Sequence, residues 1–229
     1  MKPHELMEEL ENKIGYRFKN YKLLKQSMTH SSYANEHRIN KLTNNERLEF
    51  LGDAVLEIIT SEYLYKNYPK LHEGDLTKMR ASIVCEQTLA LSSKEIDLGK
   101  YLFLGKGEEL TGGRERNSII SDAMEALIGA LYLDGGFECA KNFIDKYILC
   151  DIKNKQLFYD SKTILQEVVQ SDYSEELQYV VVAEEGPDHD KSFVVKAMIG
   201  EKEIGMGKGK TKKAAEQRAA YDALMRRKN

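Results

Sequence analysis

Two pairs of carboxylates are the residues most able to do chemistry in this chain. Glu49 and Asp53 stand four apart within Asn45-Glu46-Arg47-Leu48-Glu49-Phe50-Leu51-Gly52-Asp53. On a helix that spacing puts their β-carbons about 6 Å apart on one face. Glu46, three residues before Glu49, falls near the same stripe. The second pair, Asp122 and Glu125, stands three apart in Ser121-Asp122-Ala123-Met124-Glu125-Ala126-Leu127.

A surface carboxylate on a helix is ordinarily balanced by a base one turn away. Here the three- and four-residue neighbours of Glu49, Asp53, Asp122 and Glu125 include no Lys and no Arg. Like charges one turn apart destabilise a helix by a few tenths of a kcal/mol, so a cation supplied from outside is the economical explanation. All-oxygen ligands suit hard cations, and Mg²⁺ usually takes one or two carboxylates together with water and phosphate oxygens. A cation held this way can activate water and stabilise a leaving oxygen. Spacing within each pair leaves open whether the two pairs converge.

The elements that must carry these acids are helical. Leu48, Leu51, Val55, Ile58 and Ile59 recur at three and four and predict one buried stripe over 46–66. Ile119, Ile120, Ala123, Leu127, Ala130 and Leu131 do the same over 118–133. Breaks fall at Tyr68-Pro69, Leu104-Gly105-Lys106-Gly107, Thr111-Gly112-Gly113 and Asp134-Gly135-Gly136. No strand-like alternation interrupts the first ~150 residues, which predict one all-helical domain.

Beyond residue 150 the pattern changes. Residues 151–160 are polar and patternless, as in a linker. A short helical pattern covers 162–171, and 177–184 and 192–199 are strand-like, with a turn at Glu185-Gly186-Pro187-Asp188. A third short strand fits 202–206 and a helix fits 211–226. The result is two domains: all-α over 1–150, then an α-β-β-β-α unit of the α+β class over 161–229.

With 34 basic and 37 acidic side chains the 229-residue chain carries −3, which taken alone argues against a polyanionic partner. The distribution argues the opposite. Residues 160–190 hold nine acids and one base, whereas 202–228 hold nine bases and three acids. The bases surround Gly205-Met206-Gly207-Lys208-Gly209-Lys210, read as a glycine-rich turn before a helix whose N-terminus can receive phosphate. A nucleotide-binding P-loop is excluded, because its first glycine would fall at Ile204. Acids able to hold a metal beside a phosphate-binding unit suggest metal-dependent phosphodiester hydrolysis.

Hydrophobic residues make up 41% and charged residues 31%, enough apolar surface for a core, and three prolines exclude a proline-rich scaffold. No apolar run approaches the ~18 residues of a membrane span. The N-terminus has no apolar segment of the secretory kind, so a cytoplasmic location is expected. Cys85, Cys139 and Cys150 are odd in number and widely spaced, as for buried or semi-buried reduced thiols.

Residues 45–56 resemble the signature of bacterial ribonuclease III. The likeness extends to Met28-Thr29-His30-Ser31-Ser32-Tyr33-Ala34-Asn35-Glu36, to Glu73-Gly74-Asp75-Leu76-Thr77 and to 121–130. The C-terminal unit resembles a double-stranded-RNA-binding domain through Leu165-Gln166-Glu167, Gly186-Pro187-Asp188-His189 and Lys212-Lys213-Ala214-Ala215-Glu216. The resemblance implies a homodimeric, Mg²⁺-dependent endoribonuclease, with Mn²⁺ a plausible substitute. Such enzymes cut double-stranded RNA to 5′-phosphate and 3′-hydroxyl ends and process ribosomal RNA precursors, some messenger RNAs and transfer-RNA precursors. By motif position it implies Glu49, Asp122 and Glu125 as metal ligands, with Asp53 and Glu125 catalytic and Glu46 and Glu73 accessory acids. It also implies Gln166, Glu167 and His189 at RNA minor grooves, and Lys210, Lys212 and Lys213 on phosphates, a mode that reads shape rather than sequence. Many such domains have proline two residues before the first-strand tyrosine. Leu177 holds that place before Tyr179, and an altered start to the strand without loss of function is expected. The alternative is a non-catalytic double-stranded-RNA-binding regulator, against which stands the retention of all four central acids.

Overall fold

A computed structural model describes residues 3–38, 40–186 and 191–228. The chain divides into two compact units, Met1–Ile152 and Lys153–Asn229.

The first unit is built from nine helices among its described residues. These are α1 (Pro3–Ile14), α2 (Tyr21–Ser27), α3 (Ser31–Glu36), α4 (Glu46–Asn67), α5 (Glu73–Val84), α6 (Glu86–Glu95), α7 (Lys106–Leu110), α8 (Asn117–Gly135) and α9 (Phe137–Tyr147). Short 3₁₀ turns join some of them. Helix α8 is apolar nearly all round, with Ile119, Ile120, Ala123, Met124, Ala126, Leu127, Ile128, Ala130 and Leu131 buried. A helix of that kind has to lie in the centre of the unit, and α8 packs on α2, α4, α6 and α9.

Helix α4 ends at Asn67, just before Tyr68-Pro69, as the sequence predicts. Its buried stripe includes Leu48, Val55, Leu56, Ile59 and Leu64. Ile58 departs from the expected stripe, being 58% exposed. It lies one position off the inward face and joins an outward row with Phe50 and Tyr65, 81% and 76% exposed.

The polar stretch read as a linker carries a helix, α10 (Ile152–Tyr159), which begins at the last residue of the first unit. The second unit continues with α11 (Ser161–Asp172), strands β1 (Leu177–Glu185), β2 (Ser192–Ile199) and β3 (Lys202–Gly209), and α12 (Lys212–Lys228). The strands form one antiparallel sheet in the order β1-β2-β3. Leu165, Val169, Val195, Ala197, Ile199, Ala215, Ala219 and Ala220 are among its core residues. Leu177 starts β1 opposite Ile199 and packs against this core, so the residue in the usual proline position serves as an ordinary strand residue.

The glycine-rich segment before α12 is not a turn. Residues 202–209 are strand β3, longer than expected, and the buried glycines 205, 207 and 209 face α12. A β-carbon at Gly205 would sit 2.3 Å from the Ala219 carbonyl oxygen, and one at Gly207 2.3 Å from that of Ala215. These glycines let helix and sheet backbones touch; they do not cradle a ligand.

Cys85 and Cys139 are half-buried, but Cys150 is exposed, contrary to the expectation for it. No helix among the described residues is long and apolar enough to cross a membrane.

Candidate metal centre

The two acidic pairs converge because α4 and α8 cross with their backbones in contact. A β-carbon at Gly52 would lie 1.8 Å from the Glu125 carbonyl oxygen, and one at Gly129 2.3 Å from that of Leu48. Only glycine allows that approach on each side. Glu49 sits one turn before Gly52, and Glu125 one turn before Gly129. The crossing therefore aligns the two acidic faces.

Carboxylate oxygens of Glu49, Asp122 and Glu125 lie within 4.8 Å of one another, and all three residues are half-buried. Asp53 is exposed and outside this trio, yet close enough for its charge to act on Glu125. Glu46 is exposed at the first turn of α4, and its charge acts on Glu49. Glu73 begins α5 and accepts a hydrogen bond from Thr77 Oγ1 at 3.0 Å; it is not part of the trio.

The electrostatics are those of unneutralised negative charge. Burial, reinforced by Asp53, Asp122 and Glu49, pushes the Glu125 carboxyl up to about 8. Burial also raises Glu49, with Asp122, Glu46 and Asp53 adding to it. Asp53 is raised by burial and by Glu57. Asp122 is raised by burial and by Glu86, while His30 and a hydrogen bond from Ser121 pull it down. None of the four acids forms an ion pair with a Lys or Arg among the described residues.

Glu86 and His30 act on the site without having been read as site residues. Glu86 opens α6, and no spacing ties it to the acids. His30 lies in a segment already noted, and the fold draws it in. Asn45 N–H donates to the Thr29 carbonyl at 2.8 Å, joining the residue before His30 to the start of α4.

The residues fit a divalent cation. Their donor set is three carboxylates, the chemistry a hard cation prefers, and the raised pKa values mark charge that the protein itself leaves uncompensated.

In the second unit, Gln166 and Glu167 are exposed on α11. Lys210 is exposed just before α12, and Lys212 and Lys213 are exposed at its first two positions. Thr211 Oγ1 accepts from the Ala214 N–H at 3.1 Å and caps that helix. His189 lies outside the described residues.

Comparison with known proteins gives a consistent picture. Residues 20–152 match the family model described as ribonuclease-III-like, and 161–226 match that of the double-stranded RNA binding motif. A ribonuclease 3 of Pelotomaculum thermopropionicum is 50% identical over 220 residues, covering 95% of this chain and 91% of that protein. A ribonuclease 3 of Caldanaerobacter subterraneus is 51% identical over 218 residues, covering 94% and 95%. A solved nuclease domain of ribonuclease III from Campylobacter jejuni, described as flexible in a region involved in dimer formation, is 44% identical. That match covers 62% of this chain and 99% of that one, with a TM-score of 0.57.

Proposed function

The chain belongs to the ribonuclease III family of endoribonucleases and carries a double-stranded-RNA-binding domain; from that premise we propose that it is a Mg²⁺-dependent hydrolase of double-stranded RNA. The observation that carries this reading is the trio of carboxylates within 4.8 Å, brought together by the glycine crossing of α4 and α8.

Glu49, Asp122 and Glu125 would hold the cation, with Mg²⁺ the expected ion and Mn²⁺ a substitute. When bound, it supplies an acidified water and a counter-charge for the leaving oxygen. The remaining work falls to the chain itself. The water oxygen bonds to phosphorus, the P–O3′ bond breaks and O3′ takes up a proton from solvent, so the products carry 5′-phosphate and 3′-hydroxyl ends. Asp53, one turn beyond Glu49 and outside the trio, is the acid available to take the proton leaving that water. Glu125, driven up to about 8 by burial and its neighbours, gives up its proton more readily when positive charge arrives. Glu46 and Glu73 are accessory acids at the N-termini of α4 and α5.

The RNA is held by shape and charge. Gln166, Glu167 and His189 are assigned to minor grooves, and Lys210, Lys212 and Lys213 to phosphates. One helical domain supplies chemistry for one strand, so cutting both requires two copies. The outward apolar row Phe50, Ile58 and Tyr65 on α4 supports a homodimer, because large exposed apolar side chains grouped on one helix face mark a contact surface. Ribosomal RNA precursors, some messenger RNAs and transfer-RNA precursors in the cytoplasm are the expected substrates, and the domain limits are taken as 1–150, a 151–160 linker and 161–229.

The test is cleavage of a long RNA duplex with and without Mg²⁺, beside Asp53→Asn. Shortening that requires metal and vanishes in the variant is the expected result. Binding without cleavage under every divalent ion tried would overturn the catalytic reading.

A further inference from the structure

At one end of the sheet, Lys212, one of the lysines assigned to RNA phosphates, and the nearby Lys208 are already paired with acids of this chain. Glu184 pairs with Phe193 across β1–β2, and Phe193 with Gly209 across β2–β3, so the three lie in one row. Lys212 follows that row into α12. Its Nζ is 3.5 Å from the Glu184 carboxylate and 5.4 Å from the centre of the Phe193 ring. Beside it, Lys208 Nζ donates to Glu185 Oε2 at 2.5 Å. Both pairs sit at the surface, each side chain about half exposed. Lys213 is exposed and has no ion pair among the described residues.

We propose that Glu184 and Glu185 are affinity-determining residues that compete with RNA phosphate for Lys212 and Lys208. This deepens, and rests on, the assignment of the α12 N-terminus to RNA phosphates. A phosphate reaching Lys212 must displace a carboxylate already within ion-pair distance. The freed Glu184 carboxylate is left with Lys191 Nζ, 3.9 Å away, and the freed Glu185 carboxylate collects a counter-ion from solution. Binding by a basic surface gains from the release of counter-ions held by RNA, and steepens with each phosphate neutralised. A lysine that exchanges one anion for another returns part of that gain. The two acids therefore lower affinity for any polyanion and flatten its dependence on salt. Exposed ion pairs are individually weak, so RNA can displace them, yet two together change an equilibrium about three- to tenfold.

The test is equilibrium binding of the full chain to a 30-base-pair RNA duplex by fluorescence anisotropy, in chelator so that no cleavage occurs, across a series of KCl concentrations. Glu184→Gln with Glu185→Gln should bind about three- to tenfold tighter, with a steeper slope of log affinity against log salt. The control is Glu176→Gln with Glu201→Gln. It makes the same charge change at the opposite end of the sheet, where Leu177 pairs with Ile199. It should tighten binding far less. Adding Lys212→Met should remove most of the gain given by the first double variant. Equal tightening by both double variants would overturn the proposal, because net charge alone would then explain it. If Lys212→Met and Lys213→Ala both leave wild-type affinity unchanged, the assignment of the α12 N-terminus to RNA has failed and takes the proposal with it. That result is distinguishable from failure of the competition alone, in which the lysine variants weaken binding but the first double variant gains nothing over its control.

Discussion

The Gly52 α-carbon lies against the Glu125 carbonyl, with room for no side chain: a β-carbon there would be 1.8 Å from the oxygen. This contact fixes how near the acidic face of α4 comes to that of α8. Gly52→Ala forces the helices apart. Overpacking of this kind costs about 1–3 kcal/mol, or about 2–12 °C of melting temperature in a domain this size. Cleavage should fall further than stability, because the carboxylates separate. A thermal melt beside a cleavage assay at a temperature where the variant is folded checks this. Full activity would mean that the crossing does not position the site.

Glu125→Gln removes one of the three clustered carboxylates and one negative charge while keeping the side chain's size. Duplex RNA binding should be retained, and cleavage should drop at least about 100-fold, because a metal ion supplies several kcal/mol of transition-state stabilisation. Filter binding and single-turnover cleavage on the same duplex separate the two effects. Normal cleavage would remove Glu125 from the site.

The raised carboxyl groups make the metal-free protein sensitive to pH. Burial and neighbouring acids lift Glu125 from its ordinary 4.5 to about 8, so between those values the folded chain binds more protons than the unfolded one. Stability from this group is therefore complete below about pH 4.5 and is lost as pH rises toward 8. Glu49, Asp53 and Asp122 shift in the same direction. In chelator, the melting temperature should fall across this window by several degrees more in wild type than in Glu125→Gln. Millimolar Mg²⁺ should restore it at pH 8. A wild-type curve parallel to that of Glu125→Gln would contradict the cause given.

Phe50 is 81% exposed on the outward row of α4, with Ile58 and Tyr65 below it. Phe50→Asp should convert the expected dimer into a monomer at micromolar concentration while leaving the helical circular dichroism intact. Light scattering reads the mass directly. A wild-type monomer would place cutting of the two strands elsewhere.

Lys213, at the second position of α12, has no ion pair among the described residues. Lys213→Ala should weaken binding of all duplexes alike and reduce the salt slope by about one, as expected for loss of a single phosphate contact. An effect confined to one RNA sequence would argue for base recognition instead.

Much of this protein is determined locally. Periodicity along 46–66 and 118–133 reports which faces of α4 and α8 must be buried, because each helix has one geometry and apolar surface must leave water. The absence of Lys and Arg one turn from four acids is likewise a property of short spacing, and it pointed to a cation before any contact was known. The α-β-β-β-α order of the second unit follows from the same local rules, although α10, in the stretch read as a linker, does not.

Other features depend on which surfaces meet. Nothing in the run around Gly52 says that Gly129 faces it, because the match between two glycines 77 positions apart exists only once the helices cross. That crossing gathers Glu49, Asp122 and Glu125 and leaves Asp53 outside the trio. Ile58 and Ile59 look alike in sequence, but one is exposed and the other buried, because a rotation of about 100° per residue carries them across the edge of the packed face. Gly205, Gly207 and Gly209 resemble a phosphate-binding turn until α12 is seen lying on them. The long-range pairing of Glu184 with Lys212 was hidden for the same reason: charge along a chain is local, whereas the neighbour that balances it is chosen by packing.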